Sequence, residues 1–259
     1  MTATPLVEHC WPAIHAEALQ AVATVFERDC GQHEQSLARA AELLDLVRTE
    51  GFHGHQVKQW LAETGLGAAW NTALDHGRPR SVAPYLAPLL SGRTADVLSG
   101  SGTLTAALAR TTHVDAYERV SAYPDEPAVP TRPLEDLWRN GTGFYDTALF
   151  ATVLHHEPDP AALVERVLAT LRPTRLVIVE NCLSDTVSSE FHDFMDDFFN
   201  LCLNDFDVDC PGEHRTIAGW LDFLGAYGRT RLVHQLTDVT GIPFPYELFV
   251  VDVGPKAAR

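Results

Sequence analysis

The chain has 259 residues, 46% of them hydrophobic, enough for one large core or for one core with a smaller cap. Its 35 acidic against 19 basic side chains give a formal charge of -16 at pH 7, which repels a phosphate backbone and sets nucleic acid aside as an expected partner. Five cysteines, odd in number and without CxxC spacing, point to neither a disulfide framework nor a zinc site. The opening MTATPLVEHCWPAIHAEAL has no basic leader and no apolar run is long enough to cross a bilayer, so the expectation is a soluble, cytoplasmic protein with no membrane partner.

Residues 5–90 read as helices. Ile14, Ala18, Leu19, Val22, Val25 and Phe26 recur at helical spacing, and Leu37, Ala41, Leu44 and Val47 repeat the pattern until Gly51. A third helix is expected from His55 to Thr64, and further turns through Trp70 and Tyr85, with breaks at HGRP and SGR. With no strand pattern before Thr94, residues 1–90 are expected to form a helical cap and 91–259 an α/β domain. Two roles fit such a cap: a lid that excludes water from a reaction centre, or a packing or dimerisation surface. His53 in HGHQ has no clustered carboxylate or cysteine beside it, so it reads as a solvated helix start, and Arg78 and Arg80 read as surface charge or as holders of a ligand carboxylate.

The next stretch, TADVLSGSGTLTAALAR (Thr94 to Arg110), organises the rest. Ala95, Val97 and Leu98 form a short apolar run into a turn with Gly100 and Gly102, and the turn passes into an alanine- and leucine-rich helix. Glycine there lets backbone approach a ligand, helix-start amides can face an anionic group, and Ser99 and Ser101 add hydroxyls. A second strand, HVDAYER, ends on Glu118, sixteen positions beyond Gly102, where a carboxylate meets a ribose diol in a dinucleotide-type half-fold.

SAYPDEPAVPTRPLEDLWRNGTGF is rich in Pro and Gly and reads as irregular, with a short strand at Ala128 and Val129. The strand Ala148 to Val153 delivers His155 and His156 to its C-terminal rim, where ligands bind in open α/β sheets. Histidine titrates near neutrality, so either residue suits removal of a proton from a hydroxyl or amine; both also suit packing at a strand end. Asp159 before Pro160 reads as a helix N-cap. After the strand TRLVIVENC, residues 184–215 insert an amphipathic segment: Phe191, Phe194, Met195, Phe198 and Cys202 fall on one face, His192, Asp193, Asp196, Asp197, Asn200 and Asn204 on another. It reads either as a substrate-facing element, with carboxylates and aromatics suited to an ammonium or sulfonium, or as a core helix with a solvated acidic face. His192 and Asp196 are four apart but lack a third metal ligand, and no metal is expected. Thr216 caps a helix, with His214 and Arg215 just before it, and RTRLVHQL and YELFVVDV supply two last strands, expected as an antiparallel pair.

DVLSGSG, YDTALFATVLHHEPDPAALVERVLATLRP and TRLVIVENC together resemble the first motif, the fourth strand with its helix, and the fifth strand of class I S-adenosylmethionine-dependent methyltransferases. The resemblance covers Thr94 to about Val253 and departs from the family at Leu98, which stands where its first glycine does. It implies an α/β, doubly wound, mostly parallel sheet of about seven strands, with the N-terminal cap and a helical insertion after the fifth strand. It implies S-adenosylmethionine bound by Asp96, Ser99, Gly100, Ser101, Gly102, Glu118 and the Ala151 main chain, and a histidine, His155 or His156, close to the transferred methyl. His192, Asp196, Phe198 and Arg215 are the substrate-binding candidates. The expected reaction is methyl transfer to a small molecule, an amino acid or specialised metabolite, by a monomer or homodimer. No Asn-Pro-Pro-aromatic motif follows the fourth strand, which argues against amino methylation of DNA bases or glutamine. Two alternatives stay open: intramolecular cyclisation of S-adenosylmethionine to azetidine-2-carboxylate and methylthioadenosine, and a noncatalytic binding protein with a degenerate motif.

Overall fold

The computed structural model describes residues 5–119, 129–141, 143–185, 187–203 and 213–254. Ala128 of the expected short strand, Asn204 and Cys210 lie outside these residues. The chain divides into two compact units, one made of Met1–Arg78, Leu183–His214 and Asp238–Phe244, the other of Pro79–Cys182, Arg215–Thr237 and Pro245–Arg259.

The first unit is helical: α1 (Pro5–Arg28), α2 (Ser36–Glu50), α3 (His55–Thr64) and α4 (Leu66–Thr72). Gly65 ends α3 with φ 71, a left-handed turn that glycine adopts without a Cβ clash. The HGRP break does not form. The chain runs on from α4 through a π-helical stretch, Ala73–Gly77, into α5 (Arg78–Leu86), with Pro79 directly after the π-helical turn. The later segments join this first unit by specific bonds. Arg28 donates to the carbonyls of Val239 (2.8 Å) and Ile242 (3.1 Å), Asp29 accepts from the Gly241 amide (2.7 Å), and the Trp70 indole donates to the Gly241 carbonyl (2.9 Å).

In the second unit the elements follow as β1 (Arg93–Val97), α6 (Thr103–Leu108), β2 (His113–Glu118), β3 (Thr131–Pro133), α7 (Leu134–Asn140), β4 (Thr147–Ala151), α8 (Pro160–Leu171) and β5 (Arg175–Glu180). Two-residue strands β6 (Cys182–Leu183) and β7 (Arg215–Thr216) mark where the chain leaves and re-enters this unit, with α9 (Ser189–Asp197) between them. Next come α10 (Ile217–Gly225), β8 (Arg229–Leu236) and β9 (Tyr246–Asp252). Seven strands form one sheet in the order β3-β2-β1-β4-β5-β9-β8. The first five are mutually parallel, and β9 runs antiparallel to β5 and β8, closing the sheet as expected. Among the described residues the strand after β2 is Thr131–Pro133, a three-residue edge on which Pro133 offers no amide to lose.

The middles of β4 (Ala148–Phe150) and β5 (Leu176–Val179) are apolar, as expected where helices cover both faces of a parallel sheet. On one face Ala95, Val97, Ala148, Phe150, Leu176, Ile178, Phe249 and Val251 pack with Leu163, Val164, Val167 and Leu171 of α8 and Trp220 and Leu224 of α10. Two helix starts follow the sequence: Asp159 accepts from the Ala162 amide at 2.9 Å and Thr216 from the Gly219 amide at 3.1 Å. The strand order reverses between β1 and β4, so the crevice beyond their C-terminal ends is where this architecture binds ligands.

Candidate active site

The bend between β1 and α6 retains the backbone that three alternating glycines would have. Leu98 (φ 61), Gly100 (φ 59) and Gly102 (φ 72) are all left-handed. A leucine there costs about 1–2 kcal/mol relative to glycine. Leu98 supports this conformation by packing, half-buried, against the core under the sheet. At Gly102 an added Cβ would come within 3.0 Å of the Val129 side chain, so that position has no room for one.

The amides of the bend turn inward: Ser99 donates to the Tyr117 carbonyl (3.0 Å), Gly100 to Glu118 Oε2 (2.9 Å) and Gly102 to the Ser99 carbonyl (3.1 Å). Three of the bend's amides are thus engaged within the fold, and α6 is a short helix of six residues. What the bend offers instead is polar oxygen. Glu118 is buried and points at the bend, accepting from Gly100 and, at 2.6 Å, from the Arg119 amide. The Ser99 hydroxyl has no partner among the described residues, and Ser101 pairs with Thr103 at 3.2 Å. Beneath them Asp96, 1% exposed, accepts from the Thr105 hydroxyl at 2.6 Å through Oδ2, and its Oδ1 is unpartnered among the described residues. Burial pushes the Asp96 carboxyl up to about 7; the Thr105 hydroxyl opposes the rise and Glu118 adds to it. These buried acceptors fit a ligand rich in hydroxyl and ammonium hydrogens, the donor set of an adenosyl amino acid.

Across the crevice β4 ends on Ala151, whose carbonyl accepts the Thr152 hydroxyl at 2.7 Å. His155 and His156 follow on a single 3-10 turn, their rings 4.1 Å apart. They differ in surroundings, since His155 is buried and its Nδ1 lies 2.5 Å from Glu180 Oε2, while Glu180 Oε1 accepts from the amides of Val153 (3.2 Å) and Leu154 (2.8 Å). A carboxylate on Nδ1 fixes the tautomer that makes Nε2 the basic nitrogen and favours the imidazolium once a proton arrives. Glu180 was absent from the sequence reading. The only hint was an acidic residue ending an otherwise apolar strand, and the pairing of Ala151 with Val179 is what brings it to His155. Arg119, after β2, forms an ion pair with Glu157, after the histidines, linking strand ends on either side of β1.

The substrate candidates are distributed over both units. Arg215 lies in the sheet unit, its guanidinium 5.4 Å from the Trp220 ring centre and 4.8 Å from that of Phe223. His192, Asp196 and Phe198 belong to the helical unit. There Phe198 is fully buried beside Trp70 (5.2 Å) and Phe194 (6.2 Å). His192 and Asp196 are also buried, so the polar face of α9 is not a solvated one. Asp196 lies 3.0 Å from His214 Nε2, and the rings of His192 and His214 are 4.7 Å apart. Burial, then Asp196 and Asp193, push the neighbouring Asp197 carboxyl up to about 6. A separate open cleft of about 390 Å³, lined by Arg93, Ala109, Thr112, His113, Val114 and Asp115, sits at the N-terminal ends of β1 and β2, away from these groups.

No protein-family model matches the chain, and no curated protein matches it. Solved structures do. The S-adenosylmethionine-dependent methyltransferase SibL in its apo form is 16% identical with TM-score 0.54, the match covering 96% of this chain and 77% of SibL. The mitomycin 7-O-methyltransferase MmcR is 15% identical over 96% of this chain and 69% of its own, with TM-score 0.48. PigF with SAH is 16% identical over 98% and 100%, with TM-score 0.46.

Proposed function

Given that this chain has the fold of the class I S-adenosylmethionine-dependent methyltransferases, we propose that it transfers a methyl group from S-adenosylmethionine to a hydroxyl of a small molecule. The observation that carries the reading is the buried His155–Glu180 pair just past the C-terminal end of β4, the strand next to the one that ends in the Leu98–Gly102 bend.

Glu118, buried at the end of β2 beside the bend, would hold the ribose diol, and Asp96 and Ser99 are the further acceptors for the cofactor's N–H and O–H groups. When bound, S-adenosylmethionine supplies a sulfonium-activated methyl. His155 would take the proton of the acceptor hydroxyl on Nε2, and Glu180, held by two backbone amides, would stabilise the imidazolium that results. A hydroxyl suits this pair because it keeps its proton at neutral pH, so a positioned base lowers its barrier; proton transfer of this kind is worth about 10²–10⁴ in rate. Arg215, with its charge over two aromatic rings, and the buried His192, Asp196 and Phe198 remain the candidates for acceptor recognition.

Two measurements test the proposal. Calorimetric titration with S-adenosylmethionine and its demethylated product is expected to show binding that Glu118→Ala weakens by tenfold or more, on the order of 1.4 kcal/mol. Incubation with S-adenosylmethionine and a panel of small phenols and alcohols is expected to give the demethylated product only with an acceptor, at a rate His155→Ala lowers about 10²-fold or more. Methylthioadenosine formed without an acceptor would replace methyl transfer by cyclisation, and no binding of either nucleoside would leave a noncatalytic protein.

A further inference from the structure

Three non-glycine residues are left-handed among the described residues: Leu98 in the bend, Arg172, which ends α8, and Thr152. Thr152, with φ 57, is the anomalous one, because a β-branched side chain is poorly tolerated in that region and no helix ends there. It is pinned on both sides. Its amide still donates to the Val179 carbonyl of β5 at 2.8 Å, and its hydroxyl donates to the carbonyl of Ala151 at 2.7 Å.

The consequence lies in the next three residues. Directly after Thr152 the chain leaves the strand direction, and three successive donors converge on one carboxylate: the amides of Val153 and Leu154 on Glu180 Oε1, and His155 Nδ1 on Oε2. An extended Thr152 would prolong β4 and alternate those groups between the two faces of the sheet. A strained backbone that persists is one its surroundings hold in place, and such residues gather at functional sites.

We propose that Thr152 is a positioning residue for the His155–Glu180 pair: its left-handed backbone turns the imidazole onto the carboxylate, and its hydroxyl clamp keeps that turn from loosening. The inference rests on the reading of His155 as the base. Glycine would accept the same dihedral angles but has no clamp and far more backbone freedom. Serine keeps the hydroxyl and sheds the β-branch.

The test uses the full-length protein with ¹⁵N-labelled histidine. So short a bond to Nδ1 predicts a far-downfield, slowly exchanging imidazole proton, assigned by its loss in Glu180→Gln and in His155→Gln. With Thr152→Ser the resonance and its exchange rate stay as in the parent protein; with Thr152→Gly the proton exchanges about tenfold faster or broadens beyond detection, while the thermal midpoint stays within about 4 °C of the parent. An unchanged resonance in Thr152→Gly overturns the positioning role and leaves the pair intact. Absence of the resonance from the parent protein overturns the pair, and the inference with it. A thermal midpoint in Thr152→Gly lower by more than that margin moves the comparison to Thr152→Val, which keeps the branch and lacks the hydroxyl: faster exchange there supports the clamp, and unchanged exchange overturns it.

Discussion

Replacing Asp96 by Asn should make the protein more stable above neutral pH. Asp96 is fully buried, its carboxyl is pushed from 3.8 up to about 7, and only one of its oxygens has a partner among the described residues. A rise of about 3 pH units at about 1.4 kcal/mol per unit puts the penalty of ionising it in place near 4 kcal/mol. The sign follows from proton counting. Between the unfolded and folded values the native state holds more protons than the unfolded chain, so the contribution of Asp96 is most favourable below about pH 4, declines as pH rises, and levels off above about pH 7. Asn cannot ionise, and its amide oxygen can still accept the Thr105 hydroxyl, but its NH2 must find an acceptor near Glu118 or lose about 1–3 kcal/mol. The net expectation at pH 8 is a gain of about 1–3 kcal/mol, falling to zero or reversing near pH 4. Urea unfolding of both proteins from pH 4 to pH 9 measures it as the difference between the two stability curves, which cancels groups common to both. A difference that stays flat across that range, or that favours the parent protein at pH 8, would refute the assignment of a strained buried charge to Asp96.

Leu98→Gly relieves about 1–2 kcal/mol of left-handed strain but removes a side chain packed on the core, so the two effects should largely cancel and the thermal midpoint should move by less than about 4 °C; a larger fall would show that packing of the leucine outweighs its strain. Asp159→Ala removes the acceptor for the Ala162 amide and should lower stability by about 1 kcal/mol, read as a fall of about 2–4 °C in thermal midpoint with cofactor binding unchanged. Burial pushes the thiols of Cys30 and Cys202 up to about 12 and that of Cys182 higher still, so all three should resist a thiol-specific reagent at pH 8 in the native protein and react on unfolding. Rapid native labelling of Cys182 would contradict its burial against Glu247.

Local signals in the chain were enough for the sheet. Gly100 and Gly102 after an apolar run, Asp159 ahead of Pro160 and Thr216 ahead of Ile217 each specify a turn or a cap through their own few residues, and each forms where those residues place it. Much of the site does not work that way. Glu180 meets His155 only because β5 pairs with β4, a contact between residues 25 apart that no periodicity encodes. Thr152 is the residue type least suited to its own dihedral angles, so its sequence argues against the conformation that the tertiary bonds impose. Asp238–Phe244 reads as an ordinary loop between two strands, yet it joins the helical unit through Arg28, Asp29 and Trp70, more than 170 positions earlier in most of these bonds. The polar face of α9 fits two readings from sequence, a substrate-facing surface or a solvated one, and only tertiary packing separates them: His192 and Asp196 are buried, with His214 beside both.

The chain enters the helical unit at three places, as Met1–Arg78, Leu183–His214 and Asp238–Phe244. No single cleavage point can therefore isolate the nucleotide-fold half. A fragment starting at residue 79 would still carry the second and third segments, with Trp70, Arg28 and Asp29 gone and the Gly241 backbone stripped of its partners. An engineer wanting that half alone must excise both excursions and splice short turns across residues 182 to 215 and 237 to 245, and a recombination event that shuffled the first segment by itself would produce two damaged proteins rather than a new combination.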